Sequence, residues 1–430
     1  MKAPLMLGSV VTLALALGGC SGTEGEAGNG EISFDLLTWW SQPSELEAID
    51  AVIDVNTRKH PNVRIKVFNA KSQGAMISDV QGRLADGTPP TAFQANLGGN
   101  ALQWSESAQP LNARAKAWSK DFQAGILERV SSGGDIIGVP LALTRQNNAY
   151  YNLKLLNQLG LDIPVGRDEL GVWLAALAEQ GYTHPLCIGD QYNWVSAHAL
   201  FEDIVPAYMG AEHALDFWAG RLTADDALFG EALDYAATLN PYWNTDFADI
   251  DWVSGLQAVM GDADPAQQCV MTPMGDWGGA ILAGDYTVDE DFAQRSWPGA
   301  EALFVLAGDA FVTTRGVKDQ DAALDFFDTL ASEEGQIAFN KKKGSVPART
   351  LAKERRSEFS PLTQANMADL SSGTALPAFK VIGSSKFPWD DLAKLAHDFI
   401  LTSRTPGEAS AVAKQPIIDF IAKNYDKLAP

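Results

Sequence analysis

Two adjacent tryptophans, Trp39 and Trp40, stand at the end of an apolar run and directly before a helix start, in the stretch LLTWWSQPSE. An indole ring can pack in a core, or it can present a flat apolar face to a ligand. Successive side chains of a β-strand point to opposite faces, so the two rings cannot both be buried on the same face of a regular strand. At least one of them is therefore predicted to do something other than packing.

Patterns typical of catalytic, metal or nucleic-acid sites are missing from the sequence. The five histidines show no HExxH spacing, and there is no GxSxG elbow and no glycine-rich loop for a phosphate. The net charge of -22 argues against nucleic acid or an anionic membrane surface as the main partner. The sequence therefore predicts a protein that is not an enzyme, with no metal and no cofactor.

The elements around the two tryptophans alternate between strands and helices. EISFDLLTWW, VRIKVFNA and TAFQAN are predicted strands, separated by two helices. Ser44 and Glu47 match a capping box, which puts Glu45 at the first helical position. Such alternation is typical of a parallel sheet, and ligands bind outside the carboxyl ends of its strands. Trp39, Trp40 and the FQAN segment are predicted to lie at those ends.

The N-terminal residues and the cysteines indicate that the protein is exported from the cytoplasm. Residues 1–19 contain a short apolar stretch that ends in small residues before Cys20, which resembles a lipoprotein signal with a lipid carried on Cys20. The alternative is a plain signal peptide with an incidental cysteine. Residues 20–30 are rich in Gly, Glu and Ser and are predicted to be a flexible tether. In an oxidising compartment, Cys187 and Cys269 are a possible disulfide or two separate buried thiols.

Several segments of the folded body, in this order, resemble the sugar-binding lipoproteins of ABC importers, the solute-binding family that includes maltose-binding protein. The paired tryptophans come first, and the remaining markers are KHPNVRIKV, GRLADGTPPTAFQAN, GDIIGVPLAL, VMTPMGDW and ASEEGQIAFNKKKGSVPAR. The resemblance extends from about residue 31 to residue 430. It is closest to the glucose/mannose-binding subgroup, because of the paired tryptophans, MGDW and the FN…KGS segment.

This resemblance implies an α/β, two-lobed periplasmic-binding-protein-like (type II) fold with a ligand cleft that closes by a hinge motion. The N-terminal lobe is expected to contain residues 31–143 and 304–342, and the C-terminal lobe residues 144–303 and 343–430. The expected function is to capture a glucose- or mannose-type monosaccharide or small glucoside and deliver it to the membrane permease. The protein is then expected in the periplasm or another extracytoplasmic space, anchored by lipid.

A sugar site combines aromatic plates for the C–H faces with convergent polar groups for the hydroxyls. The plates implied by the resemblance are Trp39, Trp40, Trp252 and Trp277. The implied polar groups are Glu45, Gln94, Asn96, Arg145, Asp276, Asp309, Lys343 and Lys380.

Most of these residues have a structural alternative. Any of the four tryptophans can belong to the core, and Trp40 and Trp277 are the favoured plates. Glu45 can be a simple helix-start charge, with Ser44 in its place at the ligand. Arg145 can form an ion pair that holds the hinge, and Asp276 can cap a turn.

Lys380 is the main departure from the subgroup, which has a histidine there; Phe379 is the neighbouring alternative in the alignment. A lysine would favour a sugar that carries a carboxylate or phosphate. The ligand selectivity of this protein is therefore predicted to differ from that for plain glucose, with an acidic sugar as the alternative ligand. Asn96 also replaces a subgroup histidine. A less favoured alternative is a glycoside hydrolase, which needs a close pair of carboxylates that nothing in the sequence places.

Overall fold

The computed structural model describes residues 31–382, 386–404 and 408–428 of the 430-residue chain. The predicted signal peptide, the lipidation site at Cys20 and the tether over residues 20–30 lie outside the described residues. Within the described ranges, every helix is too short or too polar to cross a lipid bilayer.

A seven-stranded sheet forms the centre of the first lobe. Its strands are β1 (Ile32–Thr38), β2 (Val63–Asn69), β3 (Ala92–Asn96), β6 (Gly138–Arg145), β10 (Leu303–Thr313), β11 (Val346–Pro347) and β12 (Thr374–Pro377), and a separate hairpin contains β4 (Ser131–Ser132) and β5 (Asp135–Ile136). The strand order in the large sheet is β11-β6-β10-β3-β1-β2, with β12 paired to β10. Strand β1 runs parallel to β2 and β3, whereas β10 runs antiparallel to β3 and β6. The predicted parallel arrangement of the first three strands is confirmed, and their carboxyl ends meet at one edge.

The helices of the first lobe cover this sheet. They are α1 (Pro43–Lys59), α2 (Gln73–Ala85), α3 (Gly99–Leu102), α4 (Asn112–Ala115), α13 (Gln320–Ala331) and α14 (Glu333–Lys343). Helix α1 begins two residues before the predicted capping box would start it, because Pro43 takes the first helical position. The Glu45 carboxylate therefore lies at the third position and accepts the N–H groups of Ser41 and Gln42, at 3.0 and 3.1 Å. The prediction of Ser44 as the cap is wrong.

The second lobe is built on a three-stranded sheet, β8-β7-β9. Its strands are β7 (Asn148–Asn152), β8 (Met271–Pro273) and β9 (Phe292–Ser296). The helices around it are α5 (Leu153–Leu159), α6 (Arg167–Glu179), α7 (Val195–His198), α8 (Val205–Met209), α9 (Ala211–Trp218), α10 (Ala227–Leu239), α11 (Trp252–Ala258), α12 (Trp277–Leu282), α15 (Pro361–Ser372), α16 (Phe379–Ile382), α17 (Trp389–Thr402) and α18 (Glu408–Asn424). A π-helical turn, Ala199–Ile204, joins α7 to α8. A disulfide joins Cys187 to Cys269 in this lobe.

The chain passes between the two sheets twice, from β6 to β7 and from β9 to β10, and after β12 it leaves the large sheet a third time for the last helices of the second lobe. Strand β6 ends at Arg145 and β7 begins three residues later, while Leu306 of β10 pairs with both Arg145 and Pro377. The crossings therefore lie side by side, as a hinge requires. Strands β11 and β12 belong to the large sheet, although residues 343–430 were predicted in the other lobe, so the sheet pairing differs from the predicted division there.

Candidate ligand site

The tryptophans divide into a buried set and a half-buried set. Seven of the twelve are core residues, and the half-buried ones are Trp39, Trp194, Trp252, Trp277 and Trp389. The Trp40 ring is only 2% exposed and packs on Phe311 and Phe339, with ring centroids 5.8 and 5.2 Å apart. The two adjacent indoles therefore differ in burial, which favours the half-buried Trp39 over the buried Trp40 as a plate for a ligand.

A network of amides converges on the carboxylate of Asp309. Strand β3 lies between β1 and β10, and Asp309 is directly opposite Asn96 in the antiparallel register. The side-chain amides of Gln94 and Asn96 both donate to Asp309 Oδ1, at 3.0 and 3.1 Å. The Gln94 carbonyl in turn accepts the Thr38 hydroxyl and the Trp39 N–H. The structure thus brings Gln94, Asn96 and Asp309 together beneath the backbone that carries the Trp39 indole.

Lys343, in the last turn of α14, supplies the positive charge of the site. Its side chain is 3% exposed, its Nζ lies 3.0 Å from Glu45 Oε1, and it lies 5.0 Å from the centroid of the Trp40 ring. Burial opposes the charged form, but the carboxylates of Glu45, Asp309 and Asp276 together raise the pKa of Lys343 above its ordinary value. The ammonium is therefore charged and already compensated by acidic groups.

Asp276 links the hinge to the second lobe. Its N–H donates to the Arg145 carbonyl at 2.9 Å, and its Oδ2 accepts the Arg145 N–H at 3.0 Å. Its Oδ1 is buried without a hydrogen-bond partner among the described residues. Burial, with a smaller effect of Asp309, raises the pKa of Asp276 to about 7 against the opposing effects of the Arg145 N–H and Lys343. This carboxyl group therefore titrates near neutral pH.

Trp277 follows Asp276 as the first residue of α12, and its indole folds back over Gly275. A Cβ at Gly275 would lie 2.0 Å from the six-membered part of the ring, so the glycine leaves room for the indole. Helix α12 also meets the first lobe, because a Cβ on Gly344 would lie 2.9 Å from the Cβ of Ala280. That contact adjoins Lys343 in the chain and joins the helix that begins with Trp277 to the end of α14.

Trp252 belongs to a row of aromatic rings that also contains Trp194 and His198. The centroids of Trp252 and Trp194 are 6.1 Å apart, those of Trp194 and His198 6.1 Å, and those of His198 and Trp277 6.0 Å. Sequence reasoning missed Trp194 and His198. The one local signal is the QYNW turn, in which Asn193 adopts a left-handed φ of 58°.

Arg145 is committed to contacts within the protein. The residue is 2% exposed, and its guanidinium donates to Asp369, to Ser296 Oγ at 2.7 Å, to the Leu303 carbonyl at 2.8 Å and to Asn147 Oδ1 at 3.3 Å. These partners come from both sides of the crossing strands. The contacts therefore favour the hinge role over the ligand role for this residue.

Lys380 stays a prediction. Its backbone lies in α16, but its side chain is outside the described part of the chain. The alternative in the alignment, Phe379, is buried and stacks on Phe201 with centroids 5.2 Å apart. A ring in that position serves the core of the second lobe.

The described residues contain no cluster of three or more metal-ligating side chains. Two cavities among the described residues, of about 280 and 430 Å³, are lined by other segments and include none of the predicted ligand residues. What the site offers is an arrangement of indole faces, amides, carboxylates and one ammonium group. Such groups can stack on a ligand and form hydrogen bonds with it.

The family model for bacterial extracellular solute-binding proteins matches residues 40–337. The chain belongs to this family. Among relatives of this solute-binding protein is an uncharacterized ABC transporter extracellular-binding protein of Pyrococcus horikoshii, 27% identical over 91% of this chain and 87% of the relative. A probable sugar-binding periplasmic protein of Rhizobium meliloti is 27% identical, over 74% of this chain and 76% of that protein.

The solved structure of a chitin oligosaccharide binding protein has the same fold as this solute-binding protein. The two superpose with a TM-score of 0.73 at 19% identity, over 91% of this chain and 99% of the other. The predicted two-lobed α/β fold is confirmed.

Proposed function

We propose that this solute-binding protein captures a sugar and delivers it to the permease subunits of an ABC importer. The observation that carries the proposal is the hydrogen-bond network of Gln94, Asn96 and Asp309 below the backbone of Trp39, with Lys343 and Asp276 near enough for each to change the pKa of the other. The half-buried Trp39 and Trp277 directly follow Thr38 and Asp276 in the chain. Apolar plates beside paired donors and acceptors match the two surfaces of a pyranose. The names of its sugar-binding relatives support the same reading.

The charges of the site favour a neutral sugar, of the glucose or mannose type or a small glucoside. Lys343 is compensated by Glu45, and the carboxylates of Asp309 and Asp276 lie close enough to raise its pKa. An added carboxylate on the ligand would be repelled by the two aspartates. The acidic-sugar alternative depends on Lys380 alone, whose side chain lies outside the described residues.

In this proposed function the protein is tethered outside the cytoplasm and closes on its ligand. Lipid on Cys20 and the tether over residues 20–30 would keep the body near the permease. Closure would take place at the three crossings beside Arg145, and it would bring Trp277 and Asp309 onto opposite sides of the sugar.

A thermal-unfolding panel tests the proposal. A ligand that binds only the native state at 100 times its Kd adds about 2.7 kcal/mol to the free energy of unfolding. We expect such a shift with at least one neutral sugar among glucose, mannose and short α- and β-glucosides, and none with uronates.

Asp309→Asn should weaken the shift, because it removes the carboxylate that both amides contact. Asp79→Asn is the matched control, since Asp79 lies exposed on α2 and pairs only with Arg83. Incubation with the binding oligosaccharide should leave it intact, whereas cleavage would support the glycoside hydrolase. If no sugar changes the unfolding temperature, the proposed function is wrong.

A further inference from the structure

The side-chain amide of Asn96 lies between a carboxylate and a second amide. Its Nδ2 donates to Asp309 Oδ1 at 3.1 Å, and its Oδ1 accepts a hydrogen bond from Gln73 Nε2 at 2.5 Å. An ionised carboxylate can only accept hydrogen bonds, so the nitrogen end of the Asn96 amide must face Asp309. The carbonyl end is then left for a donor, and Gln73 supplies it.

The neighbouring amide, Gln94, is held from both ends in the same way but more firmly. Its Nε2 donates to the same oxygen of Asp309 at 3.0 Å. Its Oε1 accepts two hydrogen bonds, from the Thr38 hydroxyl at 2.5 Å and from the Trp39 N–H at 3.2 Å. The Gln94 side chain is also fully buried, so its orientation is fixed by its surroundings.

The Asn96 carbonyl has a single side-chain donor among the described residues, and this donor is Gln73. Asn96 is half-buried at the carboxyl end of β3, so it is more accessible to a ligand than the fully buried Gln94. Its backbone is fixed separately, because its N–H donates to Asn100 Oδ1 at 2.8 Å. What remains for Gln73 to control is the orientation of the amide, since a flipped amide would turn its carbonyl toward the Asp309 carboxylate.

Gln73 is the first residue of α2, the helix that follows β2. Ser72 caps this helix and accepts the Ala75 N–H at 3.2 Å, which fixes the backbone from which Gln73 extends. Sequence reasoning did not identify Gln73. Its position at the start of a helix that follows a predicted strand is the one local signal, and its hydrogen bond to Asn96 joins segments that are 23 residues apart.

On the basis of the proposed function, we propose that Gln73 is a positioning residue of the sugar site, which holds the Asn96 amide with its nitrogen toward Asp309 and its carbonyl away from it. An amide held in this way meets a sugar hydroxyl without first having to reorient. Groups that are fixed in advance bind more tightly, because less conformational freedom is lost on binding. Gln73 thus contributes to sugar affinity through Asn96.

Two substitutions at Gln73 test the proposal by calorimetric titration with the best sugar of the thermal-unfolding panel. Gln73→Met keeps the length of the side chain but cannot donate, and should bind the sugar about two- to tenfold more weakly. Gln73→Glu sets an acceptor against the Asn96 carbonyl and should weaken binding further. The helix should stay intact in this variant, because the helix dipole stabilises a carboxylate in the first turn. Gln81→Glu is the matched control, since Gln81 is exposed on the same helix, and it should bind like the native protein.

The same titrations in an Asn96→Ala background separate positioning from direct contact. If Gln73 acts through Asn96, adding Gln73→Met to Asn96→Ala should cause no further loss of affinity. Equal losses in the two backgrounds would show that Gln73 acts on the ligand or on the lobe by another route, and would contradict the proposal. Native-like affinity of Gln73→Met overturns the proposal and leaves the proposed function intact. If the native protein binds no sugar, the proposed function itself fails, and this proposal with it.

Discussion

Replacing Gly275 by alanine should displace the Trp277 indole with little damage to the fold. Gly275 is buried and does not have a left-handed φ, so its backbone accepts an alanine. The new Cβ would lie 2.0, 2.3 and 2.5 Å from three atoms of the indole, whereas real Cβ contacts stay above 3.0 Å. The ring must therefore retreat by at least about 1 Å, since what blocks the Cβ is the far end of a side chain and not backbone.

That movement has two consequences of similar size, one for stability and one for binding. Forcing one side chain away from its preferred rotamer costs about 0.5–1.5 kcal/mol of unfolding free energy. A misplaced plate loses most of its stacking on the ligand, which is about 0.5–1.5 kcal/mol for an aromatic pair. At 1.4 kcal/mol per decade, Gly275→Ala should bind the sugar about two- to tenfold more weakly.

Calorimetric titration with the best sugar of the panel measures the loss, and urea unfolding measures the stability change. Gly230→Ala is the matched control, because Gly230 lies inside α10 of the same lobe and a Cβ there has nothing within 4 Å. That control should bind like the native protein and be stabilised by about 1 kcal/mol. If Gly275→Ala binds as tightly as the control, Trp277 is not a plate and the reasoning is refuted.

Three further predictions concern charge and covalent links. Burial raises the pKa of Asp276 from 3.8 to about 7. The protonated carboxyl group therefore contributes to the free energy of unfolding below about pH 4, and this contribution is lost as pH rises through about 7. The free energy of unfolding of Asp276→Asn should therefore rise relative to that of the native protein between pH 4 and pH 7, by up to about 4 kcal/mol in urea titrations. A difference between the two proteins that does not change with pH contradicts this. Lys343→Met should cost about 3–5 kcal/mol of unfolding free energy, because it leaves the buried Glu45 carboxylate without its cationic partner, and adding Glu45→Gln should recover part of that loss; strict additivity in the double-mutant cycle rules out the coupling. Reducing the Cys187–Cys269 disulfide should cost about 4–5 kcal/mol, because its ends are 82 residues apart, and an unchanged Tm with reductant excludes that effect.

The parallel part of the large sheet could be predicted from local pattern, because alternation and capping signals lie within a few residues of each element. The antiparallel pairing of β10 with β3 could not, since it joins Asp309 to Asn96 across more than two hundred residues. Only the family resemblance put those two residues at one site. The pairing of β11 with β6 and of β12 with β10 likewise joins segments that are distant in sequence, so local pattern does not predict it.

Errors within the site have local physical reasons. The capping-box pattern predicts Ser44 as the cap of the helix after the tryptophans, whereas Pro43 is well suited to a first helical position and leaves Glu45 to accept the preceding N–H groups. Neither composition nor spacing distinguishes Trp194 from the seven buried tryptophans. Its half-buried position beside Trp252 depends on contacts between segments that are distant in sequence, such as the one between Gly189 and Gly255.

The two charged links of the site also connect it to the motion that a solute-binding protein needs. Lys343 pairs with the start of α1 through Glu45, and the next residue, Gly344, touches Ala280 in the helix that begins with Trp277. Asp276 is joined to the backbone of Arg145 at the crossing strands. Under the proposed function, a sugar hydroxyl that accepts a hydrogen bond from Lys343 would act on a residue adjacent to the contact between the lobes. Ligand binding and lobe closure would then share the same few contacts, and a sugar that reaches only one lobe would gain only part of the binding energy.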